Sequence, residues 1–467
     1  MQTHTTIAAI ATPPGVGAIA VIRINGPEAF TICDKIFVAA KKGKILFEQE
    51  PYTIHYGSIV AEGVIIDQVL ISLFRSPHSY TGDDMVEISC HGSLFIQQRI
   101  LELLIKNGAS LAEPGGFTLR AFLNGKLDLS QAEAVADLIA STSESARRVA
   151  INQMRGGFSS KLKELREQLL HFISLVELEL DFSEEDVEFA DRKQLTRLIE
   201  DISEVTKRLM DSFQLGNVIK TGIPVAIVGK PNVGKSTLLN RLLNEERAIV
   251  SEIAGTTRDT IEDTISLNGY NFRFVDTAGL RHTTDTIESM GIERTYAKIS
   301  QSLIVILMVD SRESEQQVIA AIDEIYTKLE QHQKLLVILN KVDASTKEHN
   351  ELLIKLIGSN YSKANVKSLS AKHDPTIDSL AQQLVAIAQV TKTDGDEVIV
   401  TNARHYESLQ RAHENLILVT HGLKANIPGD LLSLDIRQVL HYLGEITGEI
   451  TTDDILGSIF SKFCIGK

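Results

Sequence analysis

The sequence is short of cysteine: Cys33, Cys90 and Cys464 are its only three in 467 residues. An odd, widely spaced set gives no disulfide framework and fits a reducing cytosol, so a cytoplasmic protein is expected. No run of about 18 apolar residues occurs, so no helical membrane span is expected. The opening "MQTHTTIAAIATPPG" lacks a basic region before its short apolar run, which ends in Pro-Pro; it reads as a strand and turn, with no secretory signal. Cys464 stands fourth from the end, where prenylation would place it. Lys467 at the last position and the lack of a polybasic segment argue against that, so no stable membrane anchor is expected. Positive charge is also scarce. The net charge is −14, with −10 of it in residues 125–216 and 384–467. Long-range attraction to nucleic acid is therefore absent, and an RNA partner needs a local basic patch. Arg147, Arg148 and Arg155 are the candidate patch. Repeats and low-complexity tracts are missing too.

What is present is enough apolar residue (43%, with 23% charged) for ordinary globular cores, and a length that predicts two to four of them. Residues 1–124 alternate short β-like runs such as "AIAVIRING" and "MVEISC" with Gly/Pro turns, and hold one helical pattern, "SLFIQQRILELLIKNG". An α+β domain is predicted there. From Ser130 the texture becomes helical: Ser130 and Glu133 read as a capping box, and three- to four-residue apolar spacing follows. Residues 125–216 and 384–467 share this texture, and residues 217–383 between them alternate β runs with helices. The predicted architecture is multidomain: an α+β N-terminal domain, an all-α helical domain in two parts, and an α/β P-loop domain inserted between those parts.

The inserted segment opens with "VAIVGKPNVGKSTLLNRLL". Gly229, Gly234, Lys235 and Ser236 fit G-x-x-x-x-G-K-[ST]: glycines bring backbone N–H groups onto phosphate, Lys235 reaches the β/γ-phosphates, and Ser236 ligates Mg²⁺. Asn232, Val233 and Thr237 complete the loop. Ser251, Glu252, Ile253, Ala254, Gly255, Thr256 and Thr257 follow as a second phosphate-facing stretch, with Thr257 a second Mg²⁺ and γ-phosphate ligand. In "FRFVDTAGL", Asp276 is placed to hold Mg²⁺ through water; Thr277, Ala278 and Gly279 accompany it, with the Gly279 N–H meeting the γ-phosphate. Asn340, Lys341 and Asp343 in "LLVILNKVD" select guanine, because Asp343 can accept from both its N1–H and its exocyclic amine. Ser370, Ala371 and Lys372 close over the base. Four elements in order at natural spacing predict a GTP-hydrolysing enzyme.

One expected side chain is missing here as well. Many small GTPases carry Gln after D-T-A-G to orient the attacking water, whereas this chain has Leu280. Another water-positioner and another source of positive charge are needed. Glu288 can orient water, and Arg258 and Arg281 can meet phosphate; each is equally readable as a plain salt-bridging residue. Asn232, with the stretch from Ser251 to Thr256, can cradle a monovalent cation.

Across its whole length the chain resembles the MnmE (TrmE) family of tRNA-modification GTPases. The resemblance is carried by "IAAIATPPG", "SYTGDDMVEISCHG", "RAFLNGKLDLSQAEAVADLI", "DFSEED", "PNVGKS", "GTTRD", "TNARH", "LGEITGEI" and the closing "FCIGK". It implies a homodimer made through the N-terminal domain and a G domain that dimerises with GTP and K⁺. It implies an FAD-carrying partner, MnmG, in a heterotetramer or larger complex. The two add an aminomethyl or carboxymethylaminomethyl group to C5 of the wobble uridine, position 34, of certain tRNAs. The cofactors implied are GTP, Mg²⁺, K⁺ and 5-formyltetrahydrofolate or another tetrahydrofolate one-carbon form. By motif, Arg23, Glu87, Lys126 and Lys467 make the folate site; Asn232, Ser251, Ile253 and Thr256 ligate K⁺; Glu288 orients water; Arg281 and Cys464 are further catalytic candidates. His282, Gly116 and Ser433 depart from the family pattern without touching a nucleotide ligand. The competing reading is a GTP-controlled RNA or ribosome assembly factor without modification chemistry of its own.

Overall fold

The computed structural model describes residues 5–181, 192–245, 263–275, 299–330, 332–362, 364–373, 377–388, 398–425 and 427–467. Its first elements are β1 (Ile7–Ile10), β2 (Ile19–Asn25), α1 (Ala29–Ile36), β3 (Phe37–Ala39), β4 (Ile54–Ala61), β5 (Val64–Phe74), β6 (Met85–His91), α2 (Leu94–Lys106) and β7 (Ser110–Leu111). They form a sheet in the order β3-β4-β5-β6-β2-β1-β7, antiparallel apart from the β1–β7 pair. The period-2 pattern of β2 explains its use. Ala20, Ile22 and Ile24 are buried in one core with Phe30, Ile32, Ile36, Ile100 and Leu104 from α1 and α2. Val21 and Arg23, on the opposite face, are only partly covered. That register sets Arg23 directly opposite Glu87 of β6.

Helices α3 (Gly116–Leu123), α4 (Leu129–Ala140), α5 (Glu144–Met154), α6 (Gly157–Asp181) and α7 (Arg192–Thr221) follow. The start of α4 corrects the sequence reading. Ser130 lies inside the helix, and the reciprocal cap belongs to Asp128 and Gln131: Asp128 Oδ1 accepts from Gln131 N at 2.8 Å, and Gln131 Oε1 accepts from Asp128 N at 2.9 Å. The same Ser/Asp–x–x–Gln/Glu logic was available two residues earlier, where Asp128 caps as readily as a serine and the Ser130 hydroxyl is already engaged with it.

The inserted segment runs β8 (Ile223–Val228), α8 (Lys235–Glu245), β9 (Asp263–Leu267), β10 (Tyr270–Phe274), β11 (Ile304–Asp310), α9 (Glu315–Tyr326), β12 (Lys334–Asn340), α10 (Lys347–Asn360), β13 (Ala364–Ser368) and α11 (Ile377–Ile387). Its sheet order is β13-β12-β11-β8-β10-β9, parallel throughout except for β9. The inner strands β8, β11 and β12 are almost continuously buried, which is why they read as unbroken apolar runs such as "IVILMV". The chain closes with α12 (Ala403–Lys424), α13 (Gly429–Thr447) and α14 (Asp453–Phe460). Thr452 caps α14 through its hydroxyl. Phe460 and Phe463 then bury themselves with Leu129, Ala132 and Leu456, anchoring the last residues.

By contacts the chain divides into two units, Met1–Ala140 with Ala150–Lys207 and Glu407–Lys467, and Ser141–Val149 with Arg208–Tyr406. Among the described residues no helix is long and apolar enough to cross a membrane.

Candidate functional site

In the second unit the strand ends of β8, β11 and β12 carry the loops expected to hold nucleotide. The loop after β8 turns through three positive-φ residues, Gly229 (φ +142°), Asn232 (φ +60°) and Gly234 (φ +105°). A Cβ on Gly234 would lie 2.3 Å from Asn340 Nδ2, so only glycine permits this approach. Lys235, Ser236 and Thr237 form the first turn of α8. Lys235 Nζ curls over the loop and donates to the carbonyls of Gly229 (2.6 Å) and Lys230 (2.7 Å). An ammonium so placed can exchange these carbonyls for phosphate oxygens.

Asn340, 3% exposed, stitches this loop to the base-recognition loops. Its Nδ2 donates to Val233 O (2.6 Å), and its Oδ1 accepts from Ala371 N (2.8 Å). Lys341, left-handed at φ +65°, donates to Asn232 O and to Asp310 Oδ2, both at 2.8 Å. Asp343 lies on a short 3₁₀ turn, Val342–Ala344. A hydrogen bond from Ser370, helped by the charges of His373 and Arg312, holds its carboxyl below the usual range. It stays ionised, the state needed to accept two hydrogen bonds from guanine. Ser370 and Ala371 are buried and Lys372 is exposed. The arrangement fits a guanine nucleotide with its phosphates over the loop. Of the expected metal ligands, Ser236 and Asn232 are described. Ser251, Glu252, Ile253, Ala254, Gly255, Thr256, Thr257, Asp276, Thr277, Ala278, Gly279, Arg281 and Glu288 lie outside the described residues.

In the first unit a cavity of about 370 Å³ opens on the exposed side of the β2–β6 pair. It is lined by Arg23, Tyr52, Phe74, His78, Ser79, Tyr80, Met85, Glu87 and Lys467. Arg23 donates from Nε (3.0 Å) and Nη2 (2.7 Å) to the same oxygen, Glu87 Oε1, leaving Oε2 without a partner among the described residues. Its Nη1 donates to Gly466 O at 3.1 Å. The guanidinium lies 5.7 Å from the Tyr80 ring centre and 5.5 Å from that of Phe117. Burial pushes the Tyr80 phenol up, and Thr118 Oγ1 is its partner at 2.9 Å. The closing residues wedge in beside them. Phe117 N donates to Lys467 O at 3.1 Å, and Lys467 Nζ lies 5.9 Å from the Tyr80 ring centre. Burial, and then Arg23, pull the Lys467 ammonium down, partly offset by Glu87 and Cys464. A half-buried cation pair with an unused carboxylate oxygen and aromatic walls fits a flat heterocycle bearing an amine and an anionic tail.

The structure thus brings Arg23, Glu87 and Lys467 together. Lys126 is exposed, donates to Pro77 O at 3.1 Å beside the His78 wall, and does not itself line the cavity. Cys464 is exposed and outside the lining. Gly466 (φ +94°) passes close to the chain itself: its Cβ would sit 2.4 Å from Ile10 O. Of the proposed basic patch, Arg147 is paired with Glu144 at 2.6 Å. Sequence reasoning missed Tyr80 in the cavity, Phe117 packed behind Arg23, and Asp310 with Arg312 by the nucleotide loop. Tyr80 stands in the family-like stretch "SYTGDDMVEISCHG", where an aromatic beside a glycine turn was a usable signal. Asp310 ends a strand parallel to the one carrying Asn340, and that pairing appears only with the sheet.

Two family models match the chain: the MnmE helical domain over residues 129–464, and the GTP-binding protein TrmE N-terminus over residues 6–126. The tRNA modification GTPase MnmE of Bacteroides fragilis is 55% identical over 463 residues, covering 99% of each chain. That of Christiangramia forsetii is 54% identical over 476 residues, covering 100% of each. A solved structure, the G domain of the T. maritima FeoB iron transporter, aligns with 36% of this chain and 99% of its own at 26% identity and a TM-score of 0.27, a likeness too weak to bear on the assignment. On the two models and the full-length identity, this chain belongs to the MnmE (TrmE) family of tRNA-modification GTPases.

Proposed function

We propose that the chain couples GTP hydrolysis to the addition of an aminomethyl or carboxymethylaminomethyl group at C5 of the wobble uridine of certain tRNAs. The cavity at Arg23, Glu87 and Lys467 carries this reading over the assembly-factor alternative, because a GTP-controlled RNA binder has no need of a pocket suited to a carboxylated pterin. Glu87 would take the pterin amine and ring N–H, while Arg23 and Lys467 would meet anionic groups. Bound there, a tetrahydrofolate supplies a one-carbon unit; FAD chemistry comes from the partner MnmG. Exposed Ile54, Tyr56 and Leu70 on neighbouring strands support a homodimer through this domain.

In the nucleotide site Asp343 accepts from guanine, and Lys235 and the loop amides hold phosphate. Ser236, with Thr257 and Asp276, would ligate Mg²⁺. Asn232, with Ser251, Ile253 and Thr256, would ligate K⁺, supplying the positive charge that an arginine finger supplies elsewhere. Glu288 takes the proton-side hydrogen bond of the attacking water in place of the missing Gln. Arg281 would add a phosphate contact, and Cys464, exposed near Lys467 and outside the cavity lining, would supply a thiol to the one-carbon chemistry.

Mass analysis of wobble uridines in tRNA from cells lacking the chain tests the whole. Loss of the C5 substituent is expected, and its persistence would leave the assembly-factor reading standing. Turnover in K⁺ against Na⁺ tests the cation: a sharp fall in Na⁺, removed by Asn232→Ala, is expected. Equal rates in both salts would mean a protein cation serves instead.

A further inference from the structure

Asp310 belongs to none of the motifs that carry the nucleotide reading. It ends β11, paired in register with Asn340 at the end of β12. Only 8% of it is exposed, and both carboxylate oxygens are engaged. Oδ1 accepts from Arg312 N (3.1 Å) and Nε (2.9 Å); Oδ2 accepts from Arg312 Nη2 (2.7 Å) and Lys341 Nζ (2.8 Å). The same Lys341 ammonium donates to Asn232 O at 2.8 Å. One cation is therefore strung between a strand end and the left-handed residue of the phosphate loop.

A lysine ammonium is a point charge on a flexible stem, with no orientation of its own. Something must aim it, and among the described residues it has two partners: the Asn232 carbonyl, which is neutral, and the Asp310 carboxylate, which is charged. Both bonds are charge-assisted by the ammonium, and the one to Asp310 adds the attraction of an ion pair, so it is the stronger. Arg312 grips that carboxylate through three donors, which fixes its plane. Arg312 and Lys341 together also hold the Asp310 carboxyl well below the usual range against the effect of burial, so the clamp persists at any working pH.

We propose that Asp310 is a positioning residue of the nucleotide site: it aims Lys341, and through Lys341 it holds the main chain of Asn232 in the conformation that the phosphates meet. The inference rests on the GTP reading of this loop. Its distinct consequence is that a strand end outside every recognition motif sets nucleotide affinity.

The test uses the full chain, a fluorescent GDP analogue and steady-state GTP turnover. Asp310→Asn is nearly isosteric but turns a charged acceptor into an amide. It is expected to raise the dissociation constant about tenfold while turnover at saturating GTP changes less than about twofold. Asp310→Glu should recover most of the loss. Arg312→Gln, which frees the carboxylate plane, should cost about threefold. In a Lys341→Met background, Asp310→Asn should add less than about twofold, because the cation it aims is gone. An unchanged dissociation constant in Asp310→Asn would overturn the proposal, as would the full tenfold loss on top of Lys341→Met. A lowered melting temperature with unchanged affinity would equally mark Asp310 as structural only. If the wild-type chain binds no GDP at all, the reading of the loop fails first.

Discussion

The nucleotide loops and the N-terminal cavity are built in opposite ways. Around the phosphate loop, each recognition group lies within a few residues of its neighbours in sequence, and a strand end delivers each cluster whole. In the cavity, Arg23 takes a carboxylate 64 positions away and a carbonyl 443 positions away. Tyr80 and Lys467 arrive from two further segments. A loop whose geometry is local keeps its motif wherever the strand ends. A pocket assembled by register depends on each piece of the fold that carries a wall. The first should break through single backbone positions inside the motif, the second through remote residues with no ligand contact.

The largest effect should follow Gly234→Val. The new side chain meets Asn340 at the point where the phosphate loop is stitched down, so GTP affinity is expected to fall by more than about a thousandfold, reflecting combined strain and lost phosphate contacts. Folate binding by the same protein should be unchanged; if it falls too, the two sites are not independent. Next is Asp343→Asn. Losing two charge-assisted bonds should weaken GTP by about a hundredfold and shift preference toward xanthosine triphosphate, whose 2-oxo group suits an amide donor. Unchanged GTP affinity in a titration would remove Asp343 from base recognition.

Gly466→Ala is the remote counterpart. The added methyl collides with the β1 main chain and shifts the carbonyl that Arg23 holds. Affinity for 5-formyltetrahydrofolate is expected to drop about tenfold with GTP turnover intact. Normal folate binding would mean that the tip contributes nothing to the pocket. Cys464→Ser should lower wobble-uridine modification by about fivefold while sparing dimerisation and K⁺-stimulated hydrolysis; modification at the wild-type rate would leave the thiol without a chemical role.

The smallest effect is one of pH. Burial and Arg23 favour the neutral form of Lys467, so its ammonium discharges at a lower pH than an ordinary lysine. Binding of an anionic ligand should then weaken by about two- to threefold as pH rises toward the ordinary lysine value, since the charge that attracts it is lost. Lys467→Arg should flatten that slope. A flat wild-type profile would show that Lys467 does not meet the anion.

Much of the fold was legible because period and punctuation are local. The buried parallel strands announce themselves as apolar runs, and the helices of the second half by three- and four-residue spacing. Within that legibility the errors are also local: the cap of α4 belongs to Asp128, because Asp128 and Gln131 satisfy each other while the Ser130 hydroxyl is spent on Asp128. The phosphate and guanine residues were named from local motifs, and those within the described residues stand together at the strand ends. Lys126 and Cys464 could be named only by resemblance, and neither lines the cavity.

By itself, the sequence determined the nucleotide chemistry, since glycines, a lysine and an Asn-Lys-x-Asp stretch at strand ends impose their geometry over a few bonds. It also determined the family, since the flanking motifs span the whole chain. Only the tertiary structure decided that Arg23 faces Glu87, that Tyr80 lines the same cavity as Lys467, and that Asp310 accepts a hydrogen bond from Lys341. Those are consequences of strand register and of a terminal segment seated by Phe460 and Phe463. Register couples residues through hydrogen bonds between distant strands, and no local pattern in the chain encodes which strand end will stand beside which.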